Sequence, residues 1–229
     1  IDAGWAASPH PAFIVNSVTK NYLYVAKYQG FVLDGRAQSS AGKIPTVSVN
    51  FATALGYCSA KGDGWHLMTN AEWAAIALWC WKYGFMPRGN TNWGLSSDLA
   101  TEKGTRGDGL APGTASGDGK TYTGSGPISW NHDWTQFGIS DLCGNIWEWV
   151  GGMRHNSGEI QVLQDNDAAD NTKDQSSSSV LYKAMLQDGS LVAPGTADTL
   201  KYDYPPSEAK VNVAITATGS PSRTFESLP

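Results

Sequence analysis

The sequence predicts an α+β fold with two main helices, short strands and much irregular loop, and three observations predict it. Ten tryptophans and 26 glycines among 229 residues point to aromatic packing centres joined by tight turns, not to a helical bundle. Two segments, following Ser48 and Met68, carry apolar residues at helical spacing. Two long stretches, 104–126 and 156–179, are rich in Gly, Ser, Thr and Asp and too poor in apolar residues to order as helix or sheet.

In chain order, residues 1–21 read as an extended N-terminal arm, because Pro9 and Pro11 block regular pairing. From Tyr22 the chain alternates: Tyr22, Tyr24, Ala26 and Tyr28 share one face of an expected strand. Asp34-Gly35 then supplies a tight turn, with a partner strand running back through Ala37. A first helix begins near Ser48 or Asn50, where Phe51, Ala54, Leu55 and Cys58 form one apolar stripe, and Gly62 or Gly64 stops it. A second helix opens at Thr69 as N-cap with Glu72 at N3, and Met68 and Trp73 are placed for a hydrophobic staple. Its run from Trp73 to Trp81 is apolar nearly all round, so the helix is expected to be enclosed by the rest of the domain. The glycine-rich stretch 104–126 is expected as a long surface loop, and 156–179 as a polar loop or insertion. Val180–Leu186 and Val211–Thr216 are short candidate strands. The expected organisation is an arm at 1–21, a core at 22–155, and a polar insertion with C-terminal strands of the same domain at 156–229.

A formal charge of −5 and a pI near 5.3, with no Lys/Arg run, argue against a grip on phosphate backbones, so no nucleic-acid partner is expected. No apolar stretch approaches the ~18 residues of a membrane span, and Ile1 to Trp5 lacks the charged-then-apolar pattern of a signal peptide. Cys58, Cys80 and Cys143 are an odd number without a CxxC pair, which indicates neither a disulfide framework nor a zinc ribbon. Three buried thiols are the expectation, and a Cys58–Cys80 bridge is the alternative.

Three blocks carry a family resemblance. The first is Pro45-Thr46-Val47-Ser48-Val49-Asn50-Phe51, leading through Ala54 to Tyr57-Cys58. The second is His66-Leu67-Met68-Thr69-Asn70-Ala71-Glu72-Trp73, with Trp93-Gly94 following. The third runs Phe137-Gly138-Ile139-Ser140-Asp141-Leu142-Cys143-Gly144-Asn145-Ile146-Trp147-Glu148-Trp149-Val150 and resembles a Gly-Asn-Val-Trp-Glu-Trp signature. Over roughly residues 22–152 the chain thereby resembles the formylglycine-generating enzymes and sulfatase-modifying factors. The resemblance implies a C-type lectin-like fold stiffened by calcium. It assigns the ion to a side-chain oxygen of Asp141, the carbonyls of Gly144 and Ile146, and the carboxylate of Glu148, a donor set that suits a hard cation. The same residues admit another reading, in which Asn145 and Glu148 satisfy buried backbone groups beneath two indoles.

The family's oxidases work through a cysteine pair in their C-terminal part, and this chain has no cysteine after Cys143. Related sulfoxide synthases hold iron with several histidines, whereas His10, His66, His132 and His155 stand isolated, without HxH or HExxH spacing. His132 beside Asp133 is a weak general-base pair, and no G-x-S-x-G elbow supports a serine nucleophile. The family's late Arg- and Gly-containing strands are not legible before Pro229, so either the insertion displaces them or they are supplied elsewhere.

Copies lacking the cysteines resemble tail-fibre adhesins of bacterial viruses and variable proteins of diversity-generating retroelements. The expectation is a non-catalytic binding module at a virion tip or cell surface. Its partner is expected to be a receptor protein or glycan, and its assembly a homotrimer in a fibre. Trp130, Asn131, His132 and Trp134 are the candidate contact residues. The alternatives are an oxidoreductase with an unaligned active site and a structural virion subunit.

Overall fold

The computed structural model describes residues 8–202, 214–217 and 223–224. The strands are β1 (Ile14–Val15), β2 (Val18–Thr19), β3 (Phe31–Leu33), β4 (Arg36–Gln38), β5 (Met153–Asn156), β6 (Glu159–Val162), β7 (Lys183–Met185), β8 (Leu191–Val192), β9 (Leu200–Tyr202), β10 (Ala214–Ala217) and β11 (Arg223–Thr224). The helices are α1 (Phe51–Ser59) and α2 (Asn70–Tyr83), which gives a mixed α+β architecture with small antiparallel sheets. None of the described helices is long and apolar enough to cross a membrane. Two compact units emerge, one of Asn21–Met68 with Glu72–Trp149, the other of residues 1–20, 69–71 and 150–229.

In the first unit β3 and β4 pair antiparallel, Leu33 opposite Arg36. Asp34 and Gly35 between them both have positive φ, 50° and 71°, the conformation whose twist suits a two-residue hairpin. The expected strand over Tyr22–Tyr28 is a correction: the segment makes no ladder and Tyr24 is 89% exposed. Single partners take its backbone instead, with Ser140 N–H donating to Lys27 O and Tyr28 N–H to Ser39 Oγ. Helix α1 starts as its sequence requires. The Asn50 carboxamide accepts the Thr53 N–H at 2.8 Å, satisfying one of the donors a helix start leaves open, and Gly62 turns the chain away at φ 112°.

Helix α2 begins immediately after Thr69, where the sequence puts its cap, but the expected enclosure does not hold. Leu78 is 53% and Trp81 73% exposed, while Cys80 is buried. An all-round apolar helix must find cover on every side, and here Trp79 finds only part of it, packing against Tyr83, Phe85 and His132. The stretch 104–126 lacks helix and strand as expected, yet a single cation organises it. Arg106 is 2% exposed, and its guanidinium donates to both Asp108 carboxylate oxygens, to Thr114 O and to Ser116 O. Charge-assisted bonds of this kind order backbone that cannot bury apolar area.

The second unit holds a sheet of order β11-β10-β9-β6-β7-β8, with β5 also pairing β6. All four residues of β6 are buried, so the expected polar insertion at 156–179 is a correction at its start. Glu159 and Gln161 are tolerated there because they satisfy each other at 2.6 Å, and Glu159 also accepts from Thr199 Oγ1 and the Gly195 N–H. Within the candidate strand Val180–Leu186, Lys183–Met185 forms β7. Of the candidate strand Val211–Thr216, residues 211–213 lie outside the described residues. Leu163, Ala168 and Tyr182 form the unit's apolar centre, and the Arg154 guanidinium covers the Tyr182 ring at 4.1 Å. The expected extended arm folds back on itself: a 3-10 turn over Pro11–Phe13 leads into β1, β1 joins β2, and Asn166 Nδ2 donates to Ala12 O at 2.9 Å. Residues 1–7 of that arm lie outside the described residues.

Candidate functional site

The segment 137–149, in the first unit, is shaped by three demands for left-handed backbone. Asp141, Gly144 and Asn145 sit at φ 61°, 75° and 66°, and Asp, Gly and Asn are the residues that tolerate this region best. A side chain at Gly144 would meet Asn90 O at 2.3 Å, and one at Gly89 would meet Cys143 O at 1.7 Å, so both glycines permit backbone approach. Asn145 is the hub. Its Oδ1 accepts from Thr121 N–H at 2.8 Å, from Thr121 Oγ1 and from Asn90 Nδ2, and its Nδ2 donates to Gln29 Oε1 at 2.8 Å and to Thr121 O. Asn145 therefore does satisfy buried backbone groups. The indoles beside it are not core, since Trp147 is 96% and Trp149 51% exposed.

Of the carried-over ligand positions, Asp141 is 2% exposed and its Oδ2 accepts the Gly124 N–H at 2.7 Å. The carbonyls of Asp141 and Gly144 both turn toward Gln29 Nε2, at 3.1 and 3.2 Å. Burial pushes the Asp141 carboxyl up, against the pull of Gly124 N–H. Glu148 opens onto solvent but stands deep enough in its surroundings that desolvation raises it. A hydrogen bond from Gln29 lowers it, and the Asp141 charge raises it further. Two carboxylates without a cationic neighbour, beside carbonyls that point to one place, form an all-oxygen donor set of the kind calcium takes. These oxygen types suit the ion, while Gly144 O already accepts from Gln29 Nε2 and from the Ile146 N–H at 2.9 Å. Among the described residues no group of three or more His, Cys, Asp and Glu side chains could hold a metal, so such a site depends on carbonyl oxygens as well.

The four expected contact residues divide. Trp130 is 1% exposed with Nε1 donating to Glu102 at 3.0 Å, and Asn131, 8% exposed, is tied to Thr135 O and Ser140 Oγ. Neither presents a surface to a ligand, which corrects the expectation; aromatic and amide groups that look like loop decoration here pack inward. His132 Nδ1 accepts the Ile139 N–H at 2.8 Å, so the nitrogen nearest Asp133, 3.9 Å away, has no proton for that carboxylate to accept. Burial lowers the His132 pKa despite Asp133. Trp134 alone of the four is open to solvent, its ring against Phe85 and beneath Arg88.

A feature that sequence reasoning missed lies in the same unit: a cavity of about 270 Å³ rimmed by Trp65, Trp147 and Trp149. Trp149 is fixed there by its Nε1–H bond to Val49 O at 2.9 Å and by an edge contact with Phe51. Polar groups come from Glu148 and from His66, whose Nε2 lies 2.9 Å from Glu72. Burial pulls the His66 pKa down, but the Glu72 hydrogen bond and charge outweigh it and the net shift is upward. All of these but Trp65 stand in the quoted blocks; their convergence joins positions 65–66 to 147–149 and leaves no local signal.

All three thiols are free. Burial raises the Cys58, Cys80 and Cys143 pKa values, Lys61 opposing it at Cys58 and acidic neighbours adding to it at the other two. Raised thiols are poor nucleophiles and poor metal ligands at neutral pH.

No curated protein matches the chain. The family model of the Sulfatase-modifying factor enzyme 1-like domain matches residues 18–179, well over half of the sequence and inclusive of all three motif blocks, and the chain belongs to that family.

Proposed function

We propose that the chain is a non-catalytic binding module on a C-type lectin-like scaffold, stiffened by calcium at Asp141, Gly144, Ile146 and Glu148. The observation that carries the reading is the open cavity rimmed by three tryptophans. An indole that is 96% exposed contributes little to folding, and exposed aromatics around a concavity are the usual anchors of recognition because they offer large contact area at low ordering cost. Two things support the absence of catalysis: the lack of cysteine after Cys143 and the upward shift of all three thiols. The partner is a cell-surface receptor protein or glycan. On this reading the module works as a trimer at a virion tip or cell surface, in keeping with its resemblance to tail-fibre adhesins.

Receptor and glycan binding screens of wild type and Trp147→Ala test this reading. It expects a bound partner that the variant loses. Turnover on a thiol peptide with bound copper would overturn it in favour of the oxidoreductase, and self-assembly without any receptor would favour a structural subunit. For calcium, thermal unfolding with and without the ion is the measure. Saturation at about 100 times Kd stabilises a folded protein by about 2.7 kcal/mol, and Glu148→Ala should lose most of that gain.

A further inference from the structure

We propose that the Gln29 side-chain amide is an internal stand-in for the cation, holding the ligand loop together without metal and setting how tightly calcium binds. The inference rests on the proposed calcium reading. Gln29 is 7% exposed, and its Nε2 lies 3.1 Å from Asp141 O and 3.2 Å from Gly144 O. One buried NH₂ group thus binds carbonyls of the very segment assigned to the ion.

Its orientation is dictated from the far side. The Thr121 backbone N–H can only donate, so the Asn145 atom 2.8 Å from it is the acceptor Oδ1. The other amide atom of Asn145 is then the donor Nδ2, and the Gln29 atom it meets at 2.8 Å must be Oε1. Gln29 consequently has only N–H to offer the cage. Rotating the amide to give calcium an oxygen would set Gln29 Nε2 against Asn145 Nδ2, donor against donor. A cation at this point has to expel the Gln29 amide and break its two carbonyl bonds. Gln29 and the ion compete for Gly144 O and for Glu148, to which Gln29 also hydrogen-bonds, and a chain without metal keeps its loop intact.

The test is calorimetric titration with calcium of wild type, Gln29→Ala, Gln29→Glu and Glu148→Gln, with thermal unfolding of each in chelator. Gln29→Ala removes the competitor, and Gln29→Glu keeps the shape while replacing the donor with an oxygen ligand. Each variant should bind calcium about tenfold more tightly than wild type, the equivalent of at least one hydrogen bond no longer broken, and each should melt lower in chelator. A merely structural Gln29 predicts weaker binding, not tighter. If Glu148→Gln abolishes wild-type binding while both Gln29 variants bind no better than wild type, the stand-in role is refuted and the calcium site survives. If wild type binds none but Gln29→Glu does, the stand-in role holds and the natural calcium site is refuted. Absence of binding in every protein refutes both.

Discussion

Replacing Asn145 by alanine should be among the most damaging single substitutions available outside the apolar core, and its cost can be worked from three losses. Thr121 is fully buried, and its N–H loses the Oδ1 acceptor 2.8 Å away; an orphaned buried donor costs about 1–3 kcal/mol. The Gln29 Oε1 and Thr121 O acceptors lose Nδ2, about 1 kcal/mol more. Alanine must also hold φ 66°, which costs an L-residue with a Cβ about 1 kcal/mol. The total is about 3–5 kcal/mol, read by urea unfolding as a fall in midpoint at unchanged slope. Asn145→Gly separates the contributions: it relieves the backbone strain but restores no bond, so it should sit about 1 kcal/mol above the alanine variant. Both variants lying within 1 kcal/mol of wild type would refute the claim that this carboxamide organises the segment.

At Gly89 an added methyl would lie 1.7 Å from the Cys143 carbonyl oxygen; backbone yields poorly, so Gly89→Ala should lose at least the upper part of the ~1–3 kcal/mol that overpacking costs, measured by the same unfolding curve. Arg88, helped by Ser129 and Trp130, holds the Glu102 carboxyl at about 2 against a usual 4.5. The carboxyl is depressed on folding, so its stabilising contribution is complete above pH 4.5 and disappears as pH falls through about 2; Glu102→Gln should flatten the melting temperature over that window, and an unchanged slope would count against the pairing. Trp147→Ala should leave stability within ~0.5 kcal/mol, whereas Trp149→Ala, half buried and bonded to Val49 O, should cost about 2 kcal/mol, roughly half the penalty of a fully buried indole; equal melting temperatures for the two would sink the distinction.

What could be read from the chain beforehand follows from the range of the interactions involved. Asn50 and Thr69 announce the starts of α1 and α2 because a cap acts over three residues, and Asp34-Gly35 announces a hairpin because positive φ at two adjacent positions is a local demand. The strand β6 was hidden for the opposite reason: Glu159 and Gln161 look solvated until Thr199 and Gly195, some 36–40 positions on, are seen to satisfy Glu159. Trp130 and Trp147 make the same point for function. Both are tryptophans in polar, glycine-bearing loops, yet one is sealed over Glu102 and the other stands 96% exposed at a cavity mouth. Residue type alone cannot separate them, since an indole gains from burial and from binding by the same removal of apolar area from water. The Gly-Asn-Ile-Trp-Glu-Trp block was legible as a unit, but the division of labour inside it was not. Its asparagine serves the backbone of Thr121, its second tryptophan serves Val49, and its first makes no hydrogen bond among the described residues and stands 96% exposed. A motif shared across a family therefore identifies the scaffold residues most securely, and the exposed member within it is where a binding role has to be sought.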